Sequence, residues 1–423
     1  MNELTNLKYK FYLIQFLVVL FVNTNTLAQD FQSYLKANTI EKKCEIADFI
    51  AVDFEFNNLD SLRMLAQDLL RCSYQEKSEK GKNLAFFILG KYFIRVAKER
   101  EGIEFINKSK NYYFKNDDYN KITEIYNEIG NAYQYLGQHE EACKWYDFSL
   151  KYGKKASDDY ISNIASVNLA QAYSKLGNYE LAKQHAEQYK DWVLKLGKFK
   201  SIANAFSVLG IIELNQESFK QASYYFEQSY EFAKRTNSYA GMGDAYTNLA
   251  IIQYYLNDLD SSKTLFKMAL DFRKKVKNIS KICDAYLNYG GILFELEDYT
   301  QAESMYNEGL RLAQKQKSIL SELELNQALL ELYKTYDLEK FEKVNIRIDS
   351  LTKKEKVAKK ENDSINQKLI REVYKYDREN QDGFRSNNSK ILFYIGTFIL
   401  LLLAFYFIIR QKEQLNSSYK CNF

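Results

Sequence analysis

Proline is absent from this chain of 423 residues, and histidine and cysteine are scarce, with 2 and 5 residues. The cysteines show no C-x-x-C or similar metal-ligand spacing. His139 and His185 have no companion nucleophile or metal-ligand motif nearby, so a structural role is expected for both. Phosphate-binding loops, G-x-S-x-G and H-E-x-x-H motifs are also missing. The sequence therefore predicts a protein that is not an enzyme and that binds no cofactor or metal.

Charge is balanced along the chain, with a formal net charge of +4. Basic residues are mixed with acidic ones, and no basic stripe stands out in the order of the sequence. We therefore expect no nucleic-acid binding by this chain.

A residue pattern returns every 40 positions. Each copy has a small residue preceded by a large one, usually with an aromatic residue four positions earlier and another small residue twelve positions later. An aromatic residue often follows four positions after that. The first small residues are Gly90, Gly130, Ala170, Gly210, Ala250 and Gly290. A fixed period of this kind is typical of stacked structural units rather than one globular core.

Apolar residues within each unit follow helical spacing, in two stripes separated by a turn such as Asn257-Asp258. One unit is therefore a helical hairpin, and the small residues belong where its two helices cross closely. We expect Gly153, Gly197, Asn237 and Asn278 to take the left-handed position that ends a helix.

The pattern resembles the tetratricopeptide repeat, most clearly at Gly130, Tyr133, Gly137, Ala142 and Tyr146. The resemblance implies an all-α solenoid of about eight 40-residue hairpins. Six clear units span 83–315, and degenerate units span 31–82 and 316–350. The period is longer than the usual ~34 residues, and the terminal proline of the family is missing. HEAT-type repeats, which usually carry proline, and propeller blades, which need strands, fit less well.

The two cysteines Cys44 and Cys72 lie near the start and finish of one predicted hairpin, so a disulfide between them is geometrically open. Burial as free thiols is the alternative, because cysteine is a common buried residue.

Residues 1–28 read as an export signal. Lys8 and Lys10 precede a largely apolar run over 11–22, and Ala28 offers a small residue for cleavage. An uncleaved anchor is the alternative. Residues 391–409 carry no charge and are rich in Leu, Phe and Ile, which predicts a transmembrane helix of ~28 Å. A buried core helix is the alternative here.

The charged stretch 351–390 predicts a juxtamembrane helix. A thin apolar stripe of Ile365, Leu369, Val373 and Tyr376 would let it pair with a second copy as a coiled coil. A solvated helix without a partner explains the stripe equally well. Together these segments predict a single-pass protein of the cell membrane, with exported periplasmic repeats and a short cytoplasmic tail over 410–423.

In tetratricopeptide proteins the first helix of each unit lines an inner groove. The family resemblance therefore implies candidate peptide-binding residues on that helix, whose amides offer both donors and acceptors. A surface amide that is only hydrated is the alternative. The candidates are Asn131, Gln134, Asn168, Gln171, Asn204, Asp244, Asn248, Tyr254, Asp284, Asn288 and Phe294.

The complete layout resembles bacterial sensor proteins that join an export signal, tetratricopeptide repeats and one membrane span. In longer members a histidine kinase or a helix-turn-helix domain follows the span, and the present sequence ends 14 residues after it. The resemblance implies a membrane-anchored module that binds proteins or peptides, as the sensory or adaptor part of a signalling system. A structural envelope scaffold and a truncated sensor are the alternatives.

Overall fold

The computed structural model describes residues 25–156, 159–276 and 278–375, and every regular element in these ranges is a helix. The predicted transmembrane helix 391–409, the tail 410–423 and most of the export signal lie outside the described residues. The helices are α1 Asn25–Lys36, α2 Ile40–Asn57, α3 Leu59–Gln75, α4 Glu79–Arg95, α5 Glu99–Lys115, α6 Tyr119–Tyr135, α7 His139–Ala156, α8 Asp159–Lys175, α9 Tyr179–Leu196, α10 Phe199–Asn215, α11 Phe219–Arg235, α12 Tyr239–Tyr255, α13 Leu259–Lys274, α14 Ile279–Glu295, α15 Tyr299–Gln316 and α16 Ile319–Tyr336. A further helix, α17, covers 338–375.

Antiparallel helix pairs stack in chain order and form a solenoid. From Glu79 onward the first helix of each pair begins every 40 residues, at 79, 119, 159, 199, 239, 279 and 319. The first helices, here called A helices, are the even-numbered α2 to α16, and the B helices that pair with them are the odd-numbered α3 to α17. The all-α solenoid of about eight hairpins is therefore confirmed.

Short polar turns separate the helices, and two of the four predicted helix stops are correct. Gly197 and Asn237 have left-handed backbone, with φ of +65° and +51°. Gly153, in contrast, lies inside α7, where a Cβ would come 3.2 Å from the Cβ of Ser162 on the next helix. Asn278 is an N-cap, and its side chain accepts a hydrogen bond from the Lys281 N–H. Gly153 is thus explained by close helix packing, and Asn278 by the start of a helix.

The small residues of the repeat lie where the A and B helices of one pair touch. A Cβ on Gly130 would come 2.5 Å from the Tyr146 ring, and one on Gly210 would come 2.6 Å from the Phe226 ring. In these pairs the aromatic residue of the B helix therefore packs directly on the backbone of the A helix. This contact explains why glycine and an aromatic residue recur sixteen positions apart.

In three of the pairs a second, half-buried aromatic residue lies 22 positions after the small one. Its side chain packs against the aromatic residue that precedes the small one by four positions. The ring centroids are 5.4 Å apart for Tyr126–Tyr152, 5.6 Å for Phe206–Phe232 and 5.7 Å for Tyr246–Phe272. The sequence analysis missed this position, although it follows the same period.

Helix α1 covers the start of the solenoid. Phe31 and Tyr34 are buried against Phe54 of α2, and the Tyr34 hydroxyl donates to Asp68 of α3 at 2.9 Å. A chain cut after Ala28, as the export signal predicts, would keep both of these aromatic side chains.

The cysteines of the first pair are not joined. Cys44 and Cys72 are both buried free thiols. Burial raises the pKa of the Cys44 thiol to about 11 and also raises that of Cys72. Of the two possibilities open from sequence, the structure has the reduced, apolar-like cysteines.

The chain divides into two compact units, 1–355 and 356–423. The described part of the second unit, 356–375, is helical. Leu369 and Val373 of the predicted pairing stripe are buried within the single chain, while Ile365 is exposed and Tyr376 lies outside the described residues. The structure gives no support to the homodimer. Across 25–156, 159–276 and 278–375, no helix has the length and apolar character needed to cross a bilayer.

Candidate functional site

Successive A helices contact each other along one face of the solenoid, here called the inner face. The Asn168 amide donates to the Asn127 side chain at 2.8 Å, which joins α8 to α6. The Asn215 amide donates to the Ser174 hydroxyl at 3.0 Å, which joins α10 to α8. Each of these two bonds joins residues 41 positions apart in the sequence. The contacts between successive A helices therefore recur with nearly the same period as the core.

Ion pairs fill the inner face in the first three pairs. Glu55 of α2 pairs with both Lys91 and Arg95 of α4, and Arg95 also lies 3.3 Å from Glu128 of α6. Glu55, Lys91 and Glu128 are all buried. The Arg95 guanidinium thus joins three consecutive A helices.

Lys121 of α6 makes a second link across the same region. Its ammonium lies 2.9 Å from Asp48 of α2 and 2.7 Å from Glu124. Burial by itself lowers the pKa of Lys121, but the carboxylates of Glu124 and Asp48 outweigh burial and raise it. Lys121 is therefore held charged inside the fold, and this part of the inner face has little room for a ligand.

Beyond α8 the inner face opens to solvent. Ile211 of α10 is 41% exposed, and Tyr254 of α12 is 43% exposed. Ile251 and Phe294, on α12 and α14, are half-buried. Apolar side chains are therefore accessible along three consecutive A helices, flanked by the amides of Asn248 and Asn288.

Three of the predicted site residues are occupied by internal hydrogen bonds. The buried Tyr146 hydroxyl donates to Asn131 at 2.8 Å and lies 3.2 Å from the Gln134 side-chain oxygen. Asn168 is bound to Asn127. These three amides fasten helices together, which a sequence without coordinates does not reveal.

The remaining candidates differ in how open they are. Asp244 pairs with Arg273 of α13, and Asp284 pairs with Lys281 at 3.1 Å. Asn204 is exposed and hydrogen-bonds the buried Tyr189 hydroxyl. Phe294 packs on Tyr299, with 5.7 Å between ring centroids.

Three of the candidate amides take no part in the internal bonding of the described residues. Gln171 is exposed, whereas Asn248 and Asn288 are half-buried. Their side chains make no hydrogen bond with the described part of the chain, so their donors and acceptors are available to a ligand.

The two histidines lie apart from this face. His185 stacks on Tyr173 with 5.7 Å between ring centroids, and burial lowers its pKa while Asp147 opposes that shift. Among the described residues, no group of three or more His, Cys, Asp or Glu side chains is arranged to hold a metal ion.

Comparison with known proteins identifies the repeats. Tetratricopeptide-repeat family models match residues 121–191, 201–275 and 284–316. The chain therefore contains tetratricopeptide repeats, as its sequence pattern predicted. No curated protein matches the chain by sequence.

Solved structures share the fold at low sequence identity. The apo form of the quorum sensor NprR from B. thuringiensis is 17% identical with a TM-score of 0.54, covering 83% of this chain and 94% of that one. A Rap protein complexed with Competence and Sporulation Factor is 14% identical with a TM-score of 0.50, covering 81% of this chain and 98% of that one. A signal transduction ATPase with a tetratricopeptide repeat sensor, from Pyrococcus horikoshii, is 16% identical with a TM-score of 0.51. That match covers 78% of this chain and 53% of the ATPase. At these identities the likeness shows the solenoid fold alone.

Proposed function

We propose that the chain binds a protein or peptide segment along the open part of its inner face, between α10 and α14. The observation that carries this proposal is the exposure of Ile211 and Tyr254 beside the unbonded amides of Asn248 and Asn288. Apolar side chains supply binding free energy when they are covered, and amides fix the direction of a peptide backbone.

The structural neighbours support this proposal. NprR is described as a quorum sensor, and the Rap protein was solved with Competence and Sporulation Factor bound. A solenoid of this kind has therefore been solved with a bound signalling factor. The inner face of the present chain needs no catalytic group for such binding, so the proposed role is that of a non-enzymatic module.

A photocrosslinking amino acid at Ile211 should capture a binding partner in cells. The matched control is Met268 on α13, a B helix, because its side chain is 42% exposed, close to the 41% of Ile211. We expect an adduct from position 211 that is absent from position 268 and lost in the double variant Asn248→Ala, Asn288→Ala. Equal adducts from the two positions, or an adduct that survives the double variant, would remove the inner face as the binding site.

We further propose that the chain is exported and anchored by 391–409, as the sensory or adaptor part of a signalling system. The charge-free run and the apolar N-terminal run support this arrangement. The four cysteines within the described ranges are buried, so a membrane-impermeant maleimide should not react with them. Cys421 belongs to the predicted cytoplasmic tail and serves as a natural reporter.

In spheroplasts, Gln216→Cys on the exposed turn after α10 should react with the maleimide, whereas Cys421 should react only after lysis. Labelling of both positions only after lysis would reject export. Labelling of both before lysis would reject the cytoplasmic tail.

A further inference from the structure

The fold sorts charges that are mixed in the sequence. Because the hairpins are antiparallel, all turns that lead from a B helix to the next A helix lie along one edge of the solenoid. From α9 to α16 these turns carry nine basic residues, here called the basic edge: Lys195, Lys198, Lys200, Lys234, Arg235, Lys274, Lys275, Lys315 and Lys317. No basic stripe stands out in the order of the sequence, because these residues come together only after folding.

The cations of the basic edge are not neutralised within the solenoid. All nine side chains are exposed, and none of them forms an ion pair with a carboxylate of the described residues. The opposite edge, formed by the turns from A to B helices, is acidic over the same span. Its charged residues are Glu217, Lys220, Asp258, Asp260, Glu295, Glu297 and Asp298. The two edges of the solenoid therefore carry net charges of opposite sign.

Helix stability accounts for only part of this surplus. A cation in the last turn of a B helix interacts favourably with the negative end of the helix dipole, as Lys195 and Arg235 do. Lys198 and Lys200, however, stand at the start of α10, where a cation is disfavoured and the first turn has no acidic residue. Lys198 is the N-cap residue and makes no side-chain capping hydrogen bond. The Lys198 ammonium lies 5.8 Å from the centroid of the Tyr160 ring, but neither cation meets a carboxylate of the described residues, which points to an external anion.

Large apolar side chains are interleaved with the cations. Leu194, Leu196, Phe199, Tyr239 and Leu320 are all exposed on this edge. The Arg235 guanidinium lies 5.7 Å from the centroid of the Phe199 ring, and the Lys275 ammonium lies 5.1 Å from that of Tyr239. Three of the four turns thus expose charged and apolar side chains together.

We infer that the basic edge docks on the anionic headgroups of a lipid bilayer. Lysine and arginine attract anionic lipids, while leucine and phenylalanine enter the interface between headgroups and acyl chains. A nucleic-acid backbone would use the cations but offers no place for exposed leucines, so the apolar residues favour lipid. The inference depends neither on a ligand at the inner face nor on a membrane span.

The test compares the two edges of one helix. The full chain, with Cys421→Ser, carries a bimane label at Thr236→Cys on the basic edge or at Gln216→Cys on the acidic edge; these positions lie at opposite ends of α11, ~25 Å apart. The label is read in vesicles of phosphatidylcholine, with and without phosphatidylglycerol, that contain a nitroxide lipid as quencher. We expect strong quenching at 236, none at 216, and a dependence on phosphatidylglycerol. Insertion of a membrane span would occur in vesicles of either lipid composition and in both labelled variants. It therefore cannot produce the difference in quenching between positions 236 and 216.

The charge variant Lys198→Gln, Lys200→Gln, Lys234→Gln, Arg235→Gln should lower the equilibrium constant for edge contact by about fivefold per charge, and ~1 M salt should abolish contact. Equal quenching at the two labels, or quenching that is independent of phosphatidylglycerol, would overturn the inference. A DNA oligonucleotide that displaces the edge from the vesicles through the same four side chains would also overturn it, in favour of a nucleic-acid site.

Discussion

Replacing Arg95 by methionine should lower the free energy of unfolding by about 3–5 kcal/mol at neutral pH. Arg95 pairs with Glu55 and Glu128, which are both buried. Methionine keeps much of the side-chain volume, but it removes one of the cations that pair with the two buried carboxylates. Loss of one partner from a buried ion pair costs more than the pair itself contributes, because the remaining charge stays desolvated.

The cost should depend on pH. Burial, with a smaller effect of Glu128, raises the pKa of Glu55 above its usual 4.5, while Lys91 and Arg95 lower it. A carboxyl whose pKa is higher in the folded state favours folding when protonated, and that contribution is lost as pH rises through the folded pKa. Removal of Arg95 raises this pKa further. The difference in stability between the variant and the parent should therefore be smallest below pH 4.5 and should grow towards neutral pH.

Denaturant unfolding of the full chain at several pH values measures this effect. Arg311→Met is the matched control, since Arg311 and its partner Glu308 are both well exposed. Solvent screens an exposed pair of this kind, so the control should change little at any pH. The double variant Glu55→Gln, Arg95→Met should recover part of the loss. An equal loss in the two single arginine variants would show that Arg95 does not act through buried charge.

Internal hydrogen bonds and ion pairs explain why the binding residues of the inner face could be predicted only in part. Helical periodicity placed Asn131, Gln134 and Asn168 on the correct helices. It did not show that Tyr146 and Asn127 already bond to them. Nor does periodicity reveal that Lys121 reaches Asp48 across 73 positions, because such a contact depends on the curvature of the stack.

The core was more predictable than the surfaces, for a physical reason. Each pair repeats the same local contacts, so the period of Gly130, Gly210 and Gly290 reports helix packing directly. Edges and faces, by contrast, combine residues from different units. The alternation of basic and acidic turns has a period of one hairpin, and it becomes a charged edge only when antiparallel pairing is imposed.

Two neighbouring glycines of α14 allow a sharp test of that core packing. Gly290→Ala should destabilise the chain by about 1–3 kcal/mol, since a Cβ there would lie 2.7 Å from Cδ1 and 3.0 Å from Cζ of the Tyr306 ring. Tyr306 is buried, so its ring has little room to withdraw. Gly291→Ala should instead stabilise by about 0.5–1 kcal/mol, because the only nearby atom is the Tyr306 hydroxyl oxygen at 4.0 Å and alanine is the better helix former.

The same substitution at adjacent positions should thus have opposite signs. Hydrogen exchange of α14 and α15 is the preferred measurement, because a repeat array unfolds in parts rather than all at once. Tyr306→Leu should relieve the clash and recover part of the Gly290→Ala loss. Equal effects at 290 and 291 would mean that packing of the Tyr306 ring against the backbone at Gly290 does not hold the two helices together.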